Sequence, residues 1–216
     1  IAAAGPDAIG VEGTAVPFAG TGADLCTSSP VSFRWDFGDG GLAATADAKH
    51  AYADDGTYEA RLCATDDRNA TACDVRVVVV ANAEPVADAG PDRSANQGQE
   101  IQLDGSFADP GKADTHTITW DFGDGTAAVS GTLAPRHTWN EVGTYTVILT
   151  VRDDDGATGT DTTTIKISSQ APDVDAGSPR SAREGQDVAF AGTASSPGTG
   201  TLDLRWDFGD GATAEG

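Results

Sequence analysis

The 216-residue chain has no methionine and only 13 lysine and arginine residues, against 34 aspartate and glutamate residues. The formal net charge of −21 argues against a nucleic-acid partner, because phosphate contacts require clustered basic side chains. No apolar stretch approaches the length of a membrane-spanning helix, and none shows a sustained helical period. Because the chain opens on Ile1 rather than on methionine, we expect a mature or excised segment.

Cysteine is scarce as well. The three cysteines form no Cys-x-x-Cys pair, which argues against a zinc site. Motifs for hydrolysis are also missing, since the sequence contains neither Gly-x-Ser-x-Gly nor His-Glu-x-x-His. The three histidines, His50, His116 and His137, have no recurring acid and nucleophile around them. We therefore expect that this chain is not an enzyme.

What the chain does contain is one hexapeptide that occurs three times, at intervals of 85 and 86 residues, about the length of a small domain. Apolar and polar residues alternate from a few positions before the hexapeptide up to its phenylalanine, which predicts a strand with one buried face. The closing Gly-Asp-Gly predicts a tight turn. Because it recurs unchanged, we interpret the Asp pair as part of a strand and turn rather than as a catalytic dyad. The three copies are Trp35, Asp36, Phe37, Gly38, Asp39 and Gly40; Trp120, Asp121, Phe122, Gly123, Asp124 and Gly125; and Trp206, Asp207, Phe208, Gly209, Asp210 and Gly211.

Other segments recur in step with the hexapeptide. An upstream strand is predicted in every repeat by apolar residues two positions apart. A long strand is predicted after the Gly-Thr-Tyr segments at residues 56–58 and 143–145, and it is followed by a hairpin turn and a final strand. The apolar pairs of the upstream strand are Val16 and Phe18, Ile101 and Leu103, and Val188 and Phe190.

The hexapeptide resembles the signature of the PKD domain (polycystic kidney disease repeat), an immunoglobulin-like β-sandwich found widely in extracellular proteins. The resemblance implies an all-β chain of tandem immunoglobulin-like, PKD-type sandwiches of about seven strands each, two complete and a third incomplete. The predicted domains are residues 1–81, residues 82–169 and, as the N-terminal part of a third repeat, residues 170–216. Short linkers at residues 82–85 and 169–172 predict semi-rigid connections.

The third repeat lacks counterparts of the Gly-Thr-Tyr strand and of the final strand. Half a sandwich would expose its core and an unpaired sheet edge. Two interpretations remain open: the natural chain continues beyond Gly216, or another chain donates the missing strands.

The hairpin turn at residues 67–70 places Cys63 directly opposite Cys73, at a separation that a disulfide can bridge. We predict a Cys63–Cys73 disulfide, which suits an oxidising extracellular setting. Cys26, in the loop before the motif strand, competes as a partner for either cysteine.

Calcium is the one cofactor that the sequence suggests. In an immunoglobulin-like unit, the preceding linker, the loop before the motif strand and the last hairpin turn lie at the same end. Some PKD domains bind calcium with linker and loop residues of this kind, and in repeat two these are Asn82, Asp109, Asp153 and Asp155. The loop reads Asp-Pro-Gly instead of the family's usual Asp-Pro-Asp-Gly, which removes one candidate ligand. The alternative is that these aspartates are solvated turn residues.

For the function, the resemblance implies a non-catalytic structural or adhesion module, secreted or at a cell surface. Such a semi-rigid spacer would present loops or further domains to protein or glycan partners at the surface or in the matrix. One alternative is a substrate-engaging accessory region of a secreted hydrolase, which predicts exposed aromatic residues. Trp139 is the candidate, but its counterpart Tyr52 favours the other interpretation, a core or corner residue. Another is a subunit of an extracellular fibre completed by strand donation between neighbouring copies.

Overall fold

The computed structural model describes residues 1–24, 30–196 and 201–215, and over these residues it contains strands and no helix. No helix long and apolar enough to cross a membrane occurs in the described residues. Alternating burial along the strands is the local reason for this architecture, because every second side chain faces the same side. The first residue of the hexapeptide shows this clearly, since Trp35 is buried between exposed Arg34 and Asp36.

The described residues of repeat one form nine strands, more than the seven or so predicted, because several are only two residues long. Its main sheet has five strands in the order β2-β9-β8-β5-β6, in which β2 is parallel to β9. Two smaller antiparallel pairs, β3 with β7 and β1 with β4, complete the sandwich. The strands are β1 Ala2–Ala3, β2 Ala8–Val11, β3 Ala15–Ala19, β4 Thr21–Gly22, β5 Ser32–Asp36, β6 Leu42–Ala43, β7 Asp47–Ala51, β8 Gly56–Thr65 and β9 Thr71–Ala81.

Repeat two reproduces this topology strand for strand. Its main sheet has the order β11-β18-β17-β14-β15, with β11 parallel to β18, and its smaller pairs are β12 with β16 and β10 with β13. The strands are β10 Val86–Asp88, β11 Arg93–Asn96, β12 Glu100–Gln102, β13 Ser106–Ala108, β14 His116–Asp121, β15 Val129–Ser130, β16 Arg136–Thr138, β17 Gly143–Asp153 and β18 Thr158–Ser168.

The core of repeat one is built around the motif tryptophan. Trp35 is fully buried, and its ring centroid lies 5.1 Å from that of Phe18 and 6.2 Å from that of Phe37. Burying a large aromatic side chain removes about 150–250 Å² from water, so this cluster is the main apolar anchor of the sandwich. The buried cluster consists of Ala4, Val16, Phe18, Trp35, Phe37, Tyr52, Ala60, Leu62, Val78 and Val80.

Both repeats have a tyrosine corner, in which a tyrosine hydroxyl binds the backbone of the preceding loop. The Tyr58 hydroxyl donates hydrogen bonds to the carbonyl oxygens of Asp54 (2.9 Å) and Asp55 (3.1 Å). The Tyr145 hydroxyl donates to the Glu141 carbonyl oxygen at 2.8 Å. In an immunoglobulin-like sandwich this bond fixes the loop before the penultimate strand, and here it holds the backbone of an acidic loop.

Repeat three has two antiparallel strand pairs, β19 with β20 and β21 with β22. The upstream strand predicted around Val188 and Phe190 is not formed: these residues have no ladder, and Phe190 is 50% exposed. In repeat one the equivalent strand β3 pairs with β7, and the described part of repeat three contains no counterpart of β7. The strands are β19 Asp173–Asp175, β20 Thr193–Ser195, β21 Arg205–Asp207 and β22 Thr213–Glu215.

Contacts divide the chain into two compact units. The first unit joins repeat one to one end of repeat two and comprises Ile1–Asp88, Ser106–Thr119 and Thr150–Thr160. The second comprises Ala89–Gly105, Trp120–Leu149 and Asp161–Gly216. The candidate site described below lies entirely within the first unit.

Candidate metal centre in the first unit

The two aspartates of the repeated motif are loop braces. Asp36 Oδ1 accepts the Gly38 N–H at 3.1 Å, and Asp39 Oδ1 accepts the Gly41 N–H at 2.8 Å. Asp39 Oδ2 lies 2.6 Å from His50 Nε2. Burial opposes ionisation of Asp39, but the hydrogen bonds from His50 and Gly41 outweigh it and lower its pKa. The pair therefore shapes the turn after the strand.

The same bonds recur in the later copies. In repeat two, Asp124 Oδ2 lies 2.7 Å from His137 Nε2, so equivalent histidines brace equivalent aspartates. In repeat three, Asp210 Oδ1 accepts the Ala212 N–H at 2.8 Å. The equivalence of these contacts supports the interpretation of the Asp pair as structural.

The carbonyl of the motif phenylalanine is held by an aromatic side chain from the following segment. The Tyr52 hydroxyl donates to the Phe37 carbonyl oxygen at 3.1 Å, and Trp139 Nε1 donates to the Phe122 carbonyl oxygen at 3.2 Å. Trp139 is fully buried. The expectation that Trp139 is an exposed substrate-contacting residue is therefore wrong, because its indole is part of the core of repeat two.

The structure joins Cys63 to Cys73 by a disulfide, with Cα atoms 4.1 Å apart. The two residues are direct partners in the antiparallel β8–β9 ladder, the register that the hairpin turn predicts. Cys26, the proposed competing partner, lies outside the described residues.

Three of the four predicted metal ligands already make hydrogen bonds that organise loops. Asn82 Nδ2 donates to Asp153 Oδ2 at 3.1 Å, and Asp153 Oδ1 accepts the N–H groups of Gly156 and Ala157. Burial would raise the pKa of Asp153, but these three hydrogen bonds lower it. Asp109 is held in another way, because its Oδ2 lies 2.8 Å from His116 Nε2.

The fourth predicted ligand, Asp155, lies apart from that bonded pair and within a larger acidic cluster. Its carboxylate lies within 4.8 Å of ligand atoms of Asp54 and Asp55 from repeat one, and within the same distance of those of Asp114 and Asp154 from repeat two. We call the whole cluster the junction carboxylates: Glu12, Asp54, Asp55, Asp109, Asp114, Asp154 and Asp155.

Backbone contacts bring these residues together. The Ala113 N–H donates to the Ala53 carbonyl oxygen at 3.0 Å, which ties the loop of repeat two to the acidic loop of repeat one. Glu12 Oε1 accepts the N–H of the linker residue Ala83 at 2.7 Å. Gly13 approaches Pro110 so closely that a Cβ atom there would lie 2.7 Å from the Pro110 Cβ. Repeat one therefore contacts the loop of repeat two directly.

Asp114 is the centre of the cluster, since its carboxylate belongs to three of the four groups of potential ligands. One group joins it to Glu12 and Asp54, and another joins it to Asp109 and His116, each with ligand atoms within 4.8 Å of one another. So many carboxylates at this spacing repel one another unless protons or cations neutralise them.

Three of the junction carboxylates, Glu12, Asp114 and Asp155, have raised pKa values, and for Asp155 the causes are burial and repulsion from Asp55 and Asp154. For Glu12 the main cause is burial, and repulsion from Asp114 and Asp109 adds to it. Burial also raises the pKa of Asp114, together with repulsion from Asp109 and Asp155. Among the described residues, no lysine or arginine forms an ion pair with a junction carboxylate, since Arg93 pairs with Asp104 and Arg136 pairs with Glu100.

Several buried oxygens of this region have no hydrogen-bond partner. They are Glu12 Oε2, both carboxylate oxygens of Asp114, and Asn82 Oδ1. Glu12 is fully buried. A buried ionised carboxylate oxygen without a partner is costly, and buried charges in proteins are usually paired or bound to metals.

Sequence reasoning found only part of this cluster. It considered the loops of repeat two alone and therefore missed Glu12, Asp54 and Asp114. A comparison of equivalent positions would have provided a signal: Glu12 corresponds to the neutral Gln97, and the Asp54-Asp55 pair corresponds to Glu141-Val142.

Comparison with known proteins gives one family for the whole chain. The family model described as PKD domain matches residues 1–81, 82–167 and 169–216. These matches cover nearly every residue and include all three copies of the hexapeptide.

Individual relatives match over shorter stretches. Collagenase ColA of Clostridium perfringens (strain 13 / Type A) is 33% identical over 99 residues, which are 46% of this chain and 9% of the collagenase. The PKD1 domain of Vibrio anguillarum Epp is 33% identical and covers 40% of this chain and 96% of that domain, with a TM-score of 0.33. The fibronectin(III)-like modules of Clostridium thermocellum CbhA are 17% identical over 77% of this chain and 94% of theirs, with a TM-score of 0.33.

Proposed function

Since the chain belongs to the PKD domain family, whose members are generally non-catalytic modules, we propose that it is an extracellular structural or adhesion module. In this role it acts as a semi-rigid spacer and presents loops or neighbouring domains to protein or glycan partners. Function has to be argued from particular contacts rather than from the fold alone, because the same fold serves many roles.

The observation that carries this proposal is the bracing of the first linker. Ala83 donates its N–H to Glu12 of repeat one, and Asn82 donates its side-chain N–H to Asp153 of repeat two. The Ala113–Ala53 backbone bond adds a third tie between the same two repeats. A linker held on both sides transmits orientation from one domain to the next, which a flexible linker cannot do.

Two properties support an extracellular location. The Cys63–Cys73 disulfide suits an oxidising compartment, where such bonds persist. The net charge of −21 favours solubility through mutual repulsion of the chains. It also disfavours nucleic acid, an intracellular partner.

A second candidate function is an accessory region of a secreted hydrolase. The 33% identity to a segment of a collagenase favours it. The chain spans 9% of the length of that relative, so the activity of the collagenase is not transferred to this chain. Burial of Trp139 removes the aromatic residue first considered for substrate contact.

The spacer proposal is tested by the tumbling of the chain in solution. We expect ¹⁵N relaxation to give the same rotational correlation time for strands β8 and β9 of repeat one and strands β17 and β18 of repeat two. Independent correlation times for the two repeats would contradict the proposal.

Cosedimentation with insoluble polymers tests the second candidate function, the accessory region of a secreted hydrolase. The spacer proposal requires no retention of the chain on insoluble collagen or chitin and predicts that neither polymer is cleaved. Saturable retention on either polymer would favour the accessory role. The fibre alternative, and the calcium set Asn82, Asp109, Asp153 and Asp155 as originally predicted, stay predictions.

A further inference from the structure

We propose that the junction carboxylates bind one divalent cation of the calcium type, with ligands from both repeats. Glu12 and Asp54 of repeat one and Asp114 and Asp155 of repeat two are the ligands. This site goes beyond the spacer role, because it makes the attachment of the two repeats depend on a cation. It also differs from the loop site predicted from the sequence, which used residues of the linker and of repeat two alone.

The spacing of the carboxylates suits calcium. Ligand oxygens lie about 2.3–2.6 Å from a calcium ion, so oxygens on opposite sides of the ion are about 4.6–5.2 Å apart. Ligand atoms of Glu12, Asp54 and Asp114 lie within 4.8 Å of one another, and so do those of Asp54, Asp55 and Asp155. One ion therefore fits among Glu12, Asp54 and Asp114, and Asp155 borders that place, because its carboxylate lies within 4.8 Å of ligand atoms of Asp54 in one group and of Asp114 in another.

A second, independent observation points to a ligand at this place. Glu12 is fully buried, and while its Oε1 accepts the Ala83 N–H, its Oε2 has no partner. Both oxygens of Asp114 are also buried and unpartnered. A cation would satisfy these three oxygens together and remove the repulsion between the two carboxylates.

The ligands are held in place by bonds that do not use the proposed ligand oxygens. The Glu12 backbone N–H donates to the Ala81 carbonyl oxygen at 3.1 Å, which fixes the turn that carries its side chain. The Tyr58 hydroxyl binds the backbone carbonyls of Asp54 and Asp55 and leaves their carboxylates free of that contact. Such preorganisation lowers the ordering cost of binding.

The oxygen ligands favour calcium over zinc and magnesium. All four ligands are carboxylates, the buried Asn82 Oδ1 is a further unpartnered oxygen, and calcium takes six to eight oxygen ligands in flexible geometry. Zinc prefers nitrogen and sulfur, and the nearest such ligand in the cluster, His116, is already paired with Asp109. Magnesium keeps most of its water and rarely uses an all-protein cage.

The equivalent end of repeat two has a different composition. Gln97 replaces Glu12, and its side-chain N–H donates to the Asn140 carbonyl oxygen at 2.6 Å. The Asp54-Asp55 pair is replaced by Glu141 and Val142, so one carboxylate is lost there as well. We therefore expect a single site for the chain, at the attachment of repeat one to repeat two.

Calorimetric titration of the chelator-treated chain with calcium chloride tests this site. We expect one ion per chain, with a dissociation constant on the order of 10⁻⁴–10⁻³ M, the range of extracellular modules. Glu12→Gln and Asp54→Asn should each weaken binding by about tenfold or more, because affinity follows the charge of the ligands. Glu184→Gln removes the same charge at the equivalent turn of repeat three and should leave binding unchanged.

The variants also distinguish loss of the cation site from unfolding of repeat one. Asp54 is exposed, and its side chain makes no bond that the fold needs, so Asp54→Asn keeps the test valid if Glu12→Gln unfolds repeat one. Absence of calcium binding at millimolar concentration would overturn the site. Wild-type affinity in both variants, with loss of binding in Asn82→Ala, would assign the ion to repeat two alone and would also overturn it. Either result leaves the spacer role to be decided by the tumbling experiment.

Discussion

Replacement of Trp35 by alanine is expected to destabilise repeat one by about 3–5 kcal/mol, the usual cost of removing a large buried aromatic side chain. The indole is fully buried and contacts the rings of Phe18 and Phe37. Its Nε1 donates to the Ala46 carbonyl oxygen at 3.1 Å, so the substitution also removes one of the two hydrogen bonds to that carbonyl, which keeps the bond from the Gly20 N–H. Both effects act in the same direction.

Trp206→Ala is the matched control, since the motif residues around it are identical. Trp206 is only half-buried, and its neighbours Phe190 and Phe208 are 50% and 41% exposed, so much less apolar surface is lost. Hydrogen exchange of the β8 amides measures the difference. Trp35→Ala should accelerate their exchange on the order of 100-fold or more, as expected for a loss of this size. Equal effects of the two substitutions on their own repeats would contradict this account of the core.

Gly13→Ala is expected to loosen the attachment of repeat one to repeat two. Gly13 has a φ of +67°, where an alanine is strained by about 1–2 kcal/mol. The new Cβ would also contact the carbonyl oxygen of Pro110 and lie 2.7 Å from its Cβ. Because the obstacle is backbone and a rigid ring, the loop at residues 110–114 has to move away.

Gly185→Ala is the control that separates the effect of backbone strain from the effect of the contact with Pro110. This glycine occupies the equivalent turn of repeat three with a φ of +77°, and a Cβ there would meet no atom within 4 Å. Both variants carry the backbone strain, but only Gly13→Ala should accelerate hydrogen exchange at Ala113, whose N–H donates to Ala53. Unchanged protection of the Ala113 amide in Gly13→Ala would show that the close approach to Pro110 is dispensable.

The features that the sequence predicted well are local or repeated. Strand alternation predicted burial of Trp35, and the hairpin turn predicted the opposition of Cys63 and Cys73, because both depend on a few neighbouring residues. The sandwich fold was predicted from the resemblance of the repeated hexapeptide to the PKD signature, and the family match confirms it. The Gly-Thr-Tyr segment likewise predicted the start of the long strand β8, in which the Tyr58 hydroxyl binds the preceding loop.

The features that the sequence did not predict depend on contacts between residues that are far apart in the chain. Glu12 and Asp114 are 102 positions apart and meet only because repeat one contacts the loop of repeat two. The strand expected at Val188 failed for a related reason, because a strand needs a ladder partner as well as an alternating pattern. Trp139 was ambiguous in the sequence, since burial of a tryptophan depends on the surrounding sheet.

Hydrogen exchange at the amides of Ala83 and Ala113 tests the central claim most directly, because these N–H groups donate across the contact between the two repeats. The account predicts that calcium slows their exchange in the wild-type chain and has little effect in Glu12→Gln. Amides in the middle of β17 serve as the internal reference, since they lie in a ladder away from the junction carboxylates. Equal exchange at Ala83 and Ala113 with calcium and with chelator would contradict a cation-dependent attachment of repeat one to repeat two.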